Sequence, residues 1–281
     1  MTKKVVITGA SGLIGSRIIE LLSDRFTLIP LSVEQMDITD TQSVRATLKS
    51  LSYDLILHLA GYTLVDQAEK EPHKAYLINE TGTKNLMDVA TSEKKEFMYI
   101  STDFVFDGTH PPYTEKSIPN PLSIYAKSKY EGEKAVGKNG MIVRISYPYR
   151  AAFEQKKDIV RTLKSLLEAR KPLQMVNDSI MVPTFIDDIA EGLGSLMNNY
   201  SPETIHLVGA DALSPFALAQ TIAQVFKLDE SLITPTTYDT FYKHKAKGPR
   251  FSDIRSEKNT FYRMHTVKEG LTIIKNQLSK L

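Results

Sequence analysis

Two tyrosine–lysine pairs stand four residues apart, Tyr125 with Lys129 and Tyr130 with Lys134. At that spacing on an α-helix an ammonium lies beside the phenol. Its charge favours the phenolate and draws the phenol pKa from about 10 toward neutrality, which suits a proton donor working near pH 7. A shift of two to three units is roughly 3 to 4 kcal/mol, so a desolvated site and a nearby positive cofactor ring are needed as well as the lysine. Five positions separate the tyrosines, about 140° around a helix, so only one pair can face a given cleft.

Chain position selects the first pair. Ser101-Thr102-Asp103 follows the apolar run Phe97–Ile100, and the Pro-containing loop Pro119-Asn120-Pro121-Leu122 delivers Tyr125 to the start of a helix. Thr8-Gly9-Ala10-Ser11-Gly12-Leu13-Ile14-Gly15 likewise follows the run Val5-Val6-Ile7. Its glycines suit a tight turn, close backbone approach to a pyrophosphate and close helix–strand packing, with the helix N-terminus facing the phosphates. Gly9, Ser11, Gly12, Leu13 and Ile14 are therefore candidate dinucleotide contacts. The second apolar run ends at Leu31 and Ser32 without the acid that selects a free ribose, and Glu34 is displaced. Arg17, just inside the first helix, is a candidate for a 2′-phosphate or an exposed helix charge; NADP(H) is the preferred cofactor and NAD(H) stays possible. Asp37 and Ile38 are placed for the adenine edge, although Asp37 also suits a helix cap. Gly132 to Lys138 matches GxxxxGK, but Asn139 stands where a hydroxyl should follow and a helix precedes it, so Gly137 reads as a helix C-cap.

The elements that must hold these residues alternate along the first 145 positions. Apolar runs at Val5–Ile7, Leu28–Leu31, Leu55–Leu57, Phe97–Ile100 and Met141–Ile145 read as strands, separated by amphipathic stretches, one of them opened by Pro72. This is an α/β chain with a Rossmann-type doubly wound parallel sheet, whose chemistry belongs at the carboxyl ends of the strands. Later come helices at about 158–169, 186–197 and 215–226, a segment around Met175, a short strand at Ile205–Val208 and a last helix from Val267. Residues 1–146 with about 176–199 are expected to form the NAD(P)-binding domain, and about 147–175 with 200–281 a small C-terminal α/β substrate lobe.

Further motifs complete the pattern. Gly61-Tyr62-Thr63-Leu64-Val65-Asp66-Gln67-Ala68-Glu69, Asn79-Glu80-Thr81-Gly82-Thr83-Lys84-Asn85-Leu86, Ser101 through Gly108, Tyr125-Ala126-Lys127-Ser128-Lys129, Arg144 and Val182-Pro183-Thr184-Phe185 occur in order. With them the chain resembles the extended short-chain dehydrogenase/reductases, and within them the RmlD-like, dTDP-4-dehydrorhamnose reductase family. The resemblance covers nearly the whole chain, densely before Arg144 and thinly after it. It implies NADPH-dependent reduction of the 4-keto group of a nucleotide-activated deoxysugar, as in dTDP-rhamnose biosynthesis. Tyr125 would give the proton, Lys129 would depress its pKa and hold the nicotinamide ribose, and Thr102 would bond the reacting oxygen. Cofactor contacts are implied at Leu59, Ala60, Gly61, Tyr62, Asn79 and Ser101 besides Tyr125 and Lys129, and substrate contacts at Thr63, Asp66, Asp103, Phe104 and Val105; Asp66 equally suits a helix cap. Related dehydratases carry Asp-Glu after the threonine, whereas Phe104 fills the Glu place here, which argues against elimination of water. Asp178-Ser179-Ile180-Met181-Val182-Pro183-Thr184 replaces the Gln and the Gly of the family pattern by Ser179 and Met181, and Gly248-Pro249 replaces an Arg-Pro. The family includes the regulatory subunit of methionine adenosyltransferase, so a catalytically quiet NADP-binding subunit, or a reductase or epimerase of another nucleotide sugar, is the alternative.

Composition narrows the classes. With 42% hydrophobic and 24% charged residues the chain is of ordinary globular make-up. Its net charge of +2, from 35 basic and 33 acidic side chains, fits no nucleic-acid partner. Zero cysteines exclude disulfides, thiolate metal sites and cysteine nucleophiles. No metal-ligating set is legible, and no apolar run approaches the roughly 20 residues that span a bilayer. A cytoplasmic protein without membrane contact is expected, with a homodimer possible. The small net charge hides an asymmetry: residues 239–281 hold ten Lys or Arg against four Asp or Glu, +6, leaving −4 on the rest. Lys247 and Arg250 in this basic stretch are candidate contacts for a substrate diphosphate. Thermal denaturation with NADPH at 100 times Kd should show a gain of about 2.7 kcal/mol, and NADH at the same concentration a smaller one.

Overall fold

Apolar runs without polar alternation suit strands covered on both faces. In the computed structural model, which describes residues 2–280, five become strands β1 (Lys4–Thr8), β2 (Thr27–Leu31), β3 (Leu55–His58), β4 (Glu96–Thr102) and β5 (Met141–Ile145). Met1 and Leu281, at the outer ends of the two expected domain spans, lie outside the described residues. Between the strands run α1 (Gly15–Leu22), α2 (Thr41–Lys49), α3 (Val65–Ala68), α4 (Pro72–Tyr76), α5 (Gly82–Ser92) and α6 (Ile124–Val136). Short β6 (Pro148–Tyr149), α7 (Ile159–Glu168), β7 (Leu173–Val176), β8 (Thr184–Phe185), α8 (Ile186–Asn198), β9 (Thr204–His206), α9 (Pro215–Phe226), β10 (Ile233–Thr236), α10 (Tyr238–Phe241) and α11 (Val267–Leu278) follow.

The central sheet has the order β2-β1-β3-β4-β5-β9, all parallel. The direction in which successive strands are added reverses between β1 and β3, so the carboxyl ends of these two parallel strands open a crevice. Alternation fills both faces: Val5 and Ile7 pack with α1 and α8, while Val6 packs with α2 and α5. Pro30, which cannot donate to a ladder, lies in β2 at the sheet edge.

Two features differ from the expected organisation. Thr204–His206, assigned by sequence to the second lobe, pairs with Ile142–Arg144 as the sixth strand of the central sheet. The stretch opened by Pro72 is not one regular helix, because a π-helical turn, Leu77–Thr81, joins α4 to α5 and carries the buried Asn79. Such turns are frequent at functional sites because they re-aim a side chain. The second lobe keeps its own core: β7 pairs with β10, and α7, α9 and α11 pack on them. Among the described residues no helix is long and apolar enough to cross a membrane.

Helix α6 is anchored at both ends. The Ser123 side chain accepts from the Ala126 N–H, and the chain leaves through Gly137 at φ +58°. One turn before that exit, Glu133 takes a bidentate bond from Arg144 at 2.9 and 2.7 Å, with both side chains buried. Glu133→Ala should cost about 3 to 5 kcal/mol by chemical denaturation, because it leaves the Arg144 guanidinium buried without its partner.

Candidate active site

The glycine turn is shaped by contacts that exclude side chains. Gly9 sits at φ +70°, and a Cβ there would stand 2.6 Å from the Ala60 nitrogen. A Cβ on Gly15 would collide with the Gly9 carbonyl, and one on Gly12 would stand 3.1 Å from it. The backbone therefore lies close against Leu59 and Ala60, whose N–H groups bond Thr8 O and Thr8 Oγ1 at 3.1 and 3.3 Å. Among the described residues, the N–H groups of Ser11, Leu13 and Ile14 donate to no protein acceptor. Free N–H groups ahead of a helix are a site for an anion such as a pyrophosphate. The buried Ser101 Oγ at the end of β4 also lacks a partner. This donor set and cradle fit a dinucleotide.

The adenine and 2′-phosphate candidates are placed differently. Asp37 caps no helix: its carboxylate accepts from Thr39 N and Oγ1, and Asp40 caps α2. The Ile38 side chain seats Gly82, and its carbonyl accepts from Asn85. Arg17 is not a free cation. Its Nε and Nη2 bond Asp187 at 2.7 Å and its Nη1 bonds Glu20 at 2.8 Å, so two carboxylates hold it against α8 and push its pKa further up.

Asn79 stitches the crevice together. Its Oδ1 accepts from Tyr62 N at 2.8 Å, while its Nδ2 donates to Tyr62 O at 3.0 Å and to Ser128 Oγ at 2.9 Å. It thereby joins the loop after β3 to α6. Gly61 lies between, where a Cβ would stand 3.1 Å from Asn79 Oδ1 and 3.8 Å from Lys129 Nζ. The Tyr62 phenol donates to Glu71 at 2.5 Å, which holds its pKa up at about 12.

Lys129 and Tyr125 share the buried side of α6, whereas Tyr130 and Lys134 lie toward the surface, Lys134 paired with Glu131. The lysine does not bond the tyrosine. Lys129 Nζ donates to Ile100 O at 2.7 Å and lies 4.0 Å from the centre of the Tyr99 ring. Burial disfavours its charged form and lowers its pKa to about 7, with Glu133 pulling the other way. Burial pushes the Tyr125 phenol up to about 12; the Thr102 hydroxyl lowers it and Asp103 raises it further. The phenol thus carries its proton at neutral pH. Behind Tyr99 stacks His58, which burial holds neutral, with a pKa near 3, between Thr8 and Thr83.

The expected substrate residues divide. Phe104 meets Tyr125 edge-on at 5.8 Å and Tyr147 at 6.0 Å, so it walls the cleft. Thr63 Oγ1 accepts from Lys156, and Asp66, inside α3 rather than capping it, accepts from Ala246 N. Two basic segments of the C-terminal half therefore reach the loop after β3. Lys247 is exposed and, among the described residues, makes no ion pair or hydrogen bond. Three of the expected residues are engaged with protein partners. Asp103 is 1% exposed and bonds Thr102 and Ser252. Val105 is fully buried in a cluster with Phe106, Tyr113 and Ile254. Arg250 is bound to Asp178 at 2.6 Å. Asp103 is turned to protein because a buried polar group must find hydrogen-bond partners, and Val105 because it belongs to an apolar cluster, whereas Arg250 is partly exposed and held by its ion pair.

Sequence reasoning missed Tyr99, Ser128, Ser252 and Tyr147. Tyr147 holds a left-handed backbone at φ +38°, a strained state for a bulky residue. It fronts a cavity of about 200 Å³ lined also by Tyr238, Tyr242, Met175, Met181 and Gln174. Met181, the residue in place of a family Gly, occupies part of that wall.

The family described as RmlD substrate binding domain matches residues 3–277. A spore coat polysaccharide biosynthesis protein, SpsK, of Bacillus subtilis is 32% identical over 254 residues, covering 89% of this chain and 88% of that protein. The structure of a dTDP-4-dehydrorhamnose reductase from Bacillus anthracis in complex with NADP superposes with a TM-score of 0.91 at 31% identity, over 99% of this chain and all of that one. Methionine adenosyltransferase 2 subunit beta of Rattus norvegicus is 29% identical over 84% of this chain and 76% of its own length.

The Lys129 environment carries a pH signature. Its folded pKa, about 7, lies below the unfolded lysine value of about 10.4, so between these limits the folded chain binds fewer protons and stability rises with pH. Lys129→Met should flatten that rise by up to about 1.4 kcal/mol per pH unit in thermal melts of the cofactor-free protein from pH 7 to 10.

Proposed function

The chain belongs to the RmlD substrate binding domain family, and from that premise we propose that it is an NAD(P)-dependent oxidoreductase that reduces the 4-keto group of a nucleotide-activated deoxysugar, in the manner of dTDP-4-dehydrorhamnose reductases. What supports the reading is that Thr102 ends β4, that Lys129 Nζ bonds Ile100 O of the same strand, and that Tyr125 shares the buried side of α6 with Lys129, one strand from the crevice that holds the glycine turn.

The Gly9–Ile14 turn, Ser101, Asn79 and Lys129 would hold NADP(H). When bound, that cofactor supplies the hydride that reaches the carbonyl carbon. Tyr125, protonated at neutral pH, gives its proton to the carbonyl oxygen, and Thr102 stands beside the phenol to bond the same oxygen. Lys129, poised near neutrality, holds positive charge behind the site and lowers the cost of the tyrosinate left after transfer. Phe104 and Tyr147 keep water from the carbonyl. Lys247 supplies the unpaired cation for a diphosphate at the rim, in place of the expected pair with Arg250.

The reading of a catalytically quiet subunit is favoured by the methionine adenosyltransferase relative alone, and an intact proton-donating set stands against it. With NADPH and dTDP-4-keto-6-deoxyhexose, Tyr125→Phe should lose about 10² to 10⁴ in turnover, the usual worth of a general acid, and still bind NADPH. Unchanged turnover would contradict the assignment of Tyr125. No turnover by the unaltered protein, together with a stoichiometric protein partner, would select the quiet subunit.

A further inference from the structure

Residues 150–158 form an arch between β6 and α7. Asp158 draws its ends together: the carboxylate accepts from Arg150 N at 3.2 Å and caps α7 by accepting from Arg161 N at 2.9 Å. One guanidinium fills its interior. Arg161, bound to Asp158 at 2.7 Å, also donates to the carbonyls of Phe153 and Lys156. The arch is thus shaped from within the second lobe.

It nevertheless touches the first domain in two places. At its root the buried Arg150 guanidinium donates to Ser16 Oγ at 2.9 Å, to Leu13 O at 3.4 Å and to both Glu20 carboxylate oxygens at 2.9 Å. Near its tip Lys156 Nζ donates to Thr63 Oγ1 at 3.2 Å. The first contact is with the glycine turn and α1, which lies on one face of the sheet; the second is with the loop after β3, which leads to α5 on the other face. An arch fixed at both places runs across the crevice between β1 and β3.

Charge distinguishes the two contacts. A pyrophosphate brings negative charge, and the glycine turn meets it with neutral N–H groups. Arg17 and Arg150, beside that turn, are each held by carboxylates. Lys156 is exposed and makes no ion pair among the described residues; its partner is a neutral hydroxyl. Exchanging that hydroxyl for an anionic phosphate oxygen gives the ammonium a charged partner and a stronger bond.

We propose that the arch is the outer wall of the dinucleotide site: Arg150 holds the Leu13 peptide in place from outside, and Lys156 is the cation that meets the dinucleotide's pyrophosphate. The inference rests on the reading of the glycine turn as an NAD(P) site and adds residues of the second lobe to it. A nucleotide sugar carries a diphosphate too; the attachment of the arch to the glycine turn assigns Lys156 to the dinucleotide.

Binding measured without substrate tests this. In fluorescence titrations Lys156→Ala should bind NADPH about tenfold more weakly, mostly through faster release in stopped-flow displacement, and should bind 2′-AMP, which has no pyrophosphate, within about twofold of the unaltered protein. Lys157→Ala removes an ammonium that bonds Ser165 on α7 at 3.1 Å and should leave NADPH binding within about twofold. In a second readout, saturating NADPH should slow tryptic cleavage after Lys156 and Lys157 about tenfold relative to cleavage after the exposed Lys94, and 2′-AMP should not. Unchanged NADPH affinity in Lys156→Ala, an equal loss for NADPH and 2′-AMP, or cleavage that ignores NADPH would overturn the proposal. Weaker binding of dTDP with NADPH unaffected would put Lys156 on the substrate side and overturn it as well. An unaltered protein that binds NADPH but turns over no 4-keto sugar contradicts the proposed reaction and leaves the arch standing; one that binds no NADPH refutes both.

Discussion

A lysine ammonium held in the protein interior without a carboxylate at bonding distance is the constraint around which the site is built. Lys129 has one carbonyl, from Ile100, and the face of Tyr99 to stand in for water. Neither offers the energy of an ion pair, so the charged and neutral forms are nearly balanced at neutral pH. The surroundings follow from this. His58 behind Tyr99 must be neutral, since a second charge would repel the first, and its two ring nitrogens are taken by Thr8 and Thr83. A Cβ on Gly61 would press on Asn79 Oδ1 at 3.1 Å and meet the ammonium at an ordinary 3.8 Å. Thr8 immediately precedes the glycine turn, so one network runs from the cofactor crevice to the lysine.

Charge that this site lacks is placed one turn further along α6. The buried Arg144–Glu133 pair fixes the far end of the helix, and Ser123 fixes its start, which leaves Tyr125 and Lys129 little freedom between two anchors. At the other wall, Phe104 and Tyr147 separate the phenol from the cavity in front of Met181. The second lobe therefore contributes walls and a basic rim, while Thr102, Tyr125 and Lys129 lie on the sheet and on α6. That division agrees with chemistry at the carboxyl ends of parallel strands.

How much of this was legible in the sequence depended on distance along the chain. The strands and the glycine turn were readable because each rests on local periodicity or short spacing, and the placing of Tyr125 rather than Tyr130 on the buried side of α6 followed from chain position after the 119–122 loop. Partners far apart were not. Arg17 reads as a free helix cation until Asp187, 170 residues later, closes on it. Asp103 reads as a substrate contact until Ser252 is found behind it, and Arg250 as a diphosphate ligand until Asp178 claims it. The strand at 204–206 was assigned to the wrong body because a short apolar run does not reveal which sheet edge it joins. Helical spacing put the Lys129 ammonium beside the Tyr125 phenol but could not show its bonding partner, the Ile100 carbonyl on the neighbouring strand.

The direct test is the protonation of Lys129 itself. A nitrogen- or carbon-detected NMR titration of its side chain in the cofactor-free protein, assigned with Lys129→Met, should give a midpoint near 7. A midpoint near the ordinary lysine value of about 10.4 would mean that the ammonium is solvated or paired, and would contradict the account of a neutral-poised lysine at the centre of the site.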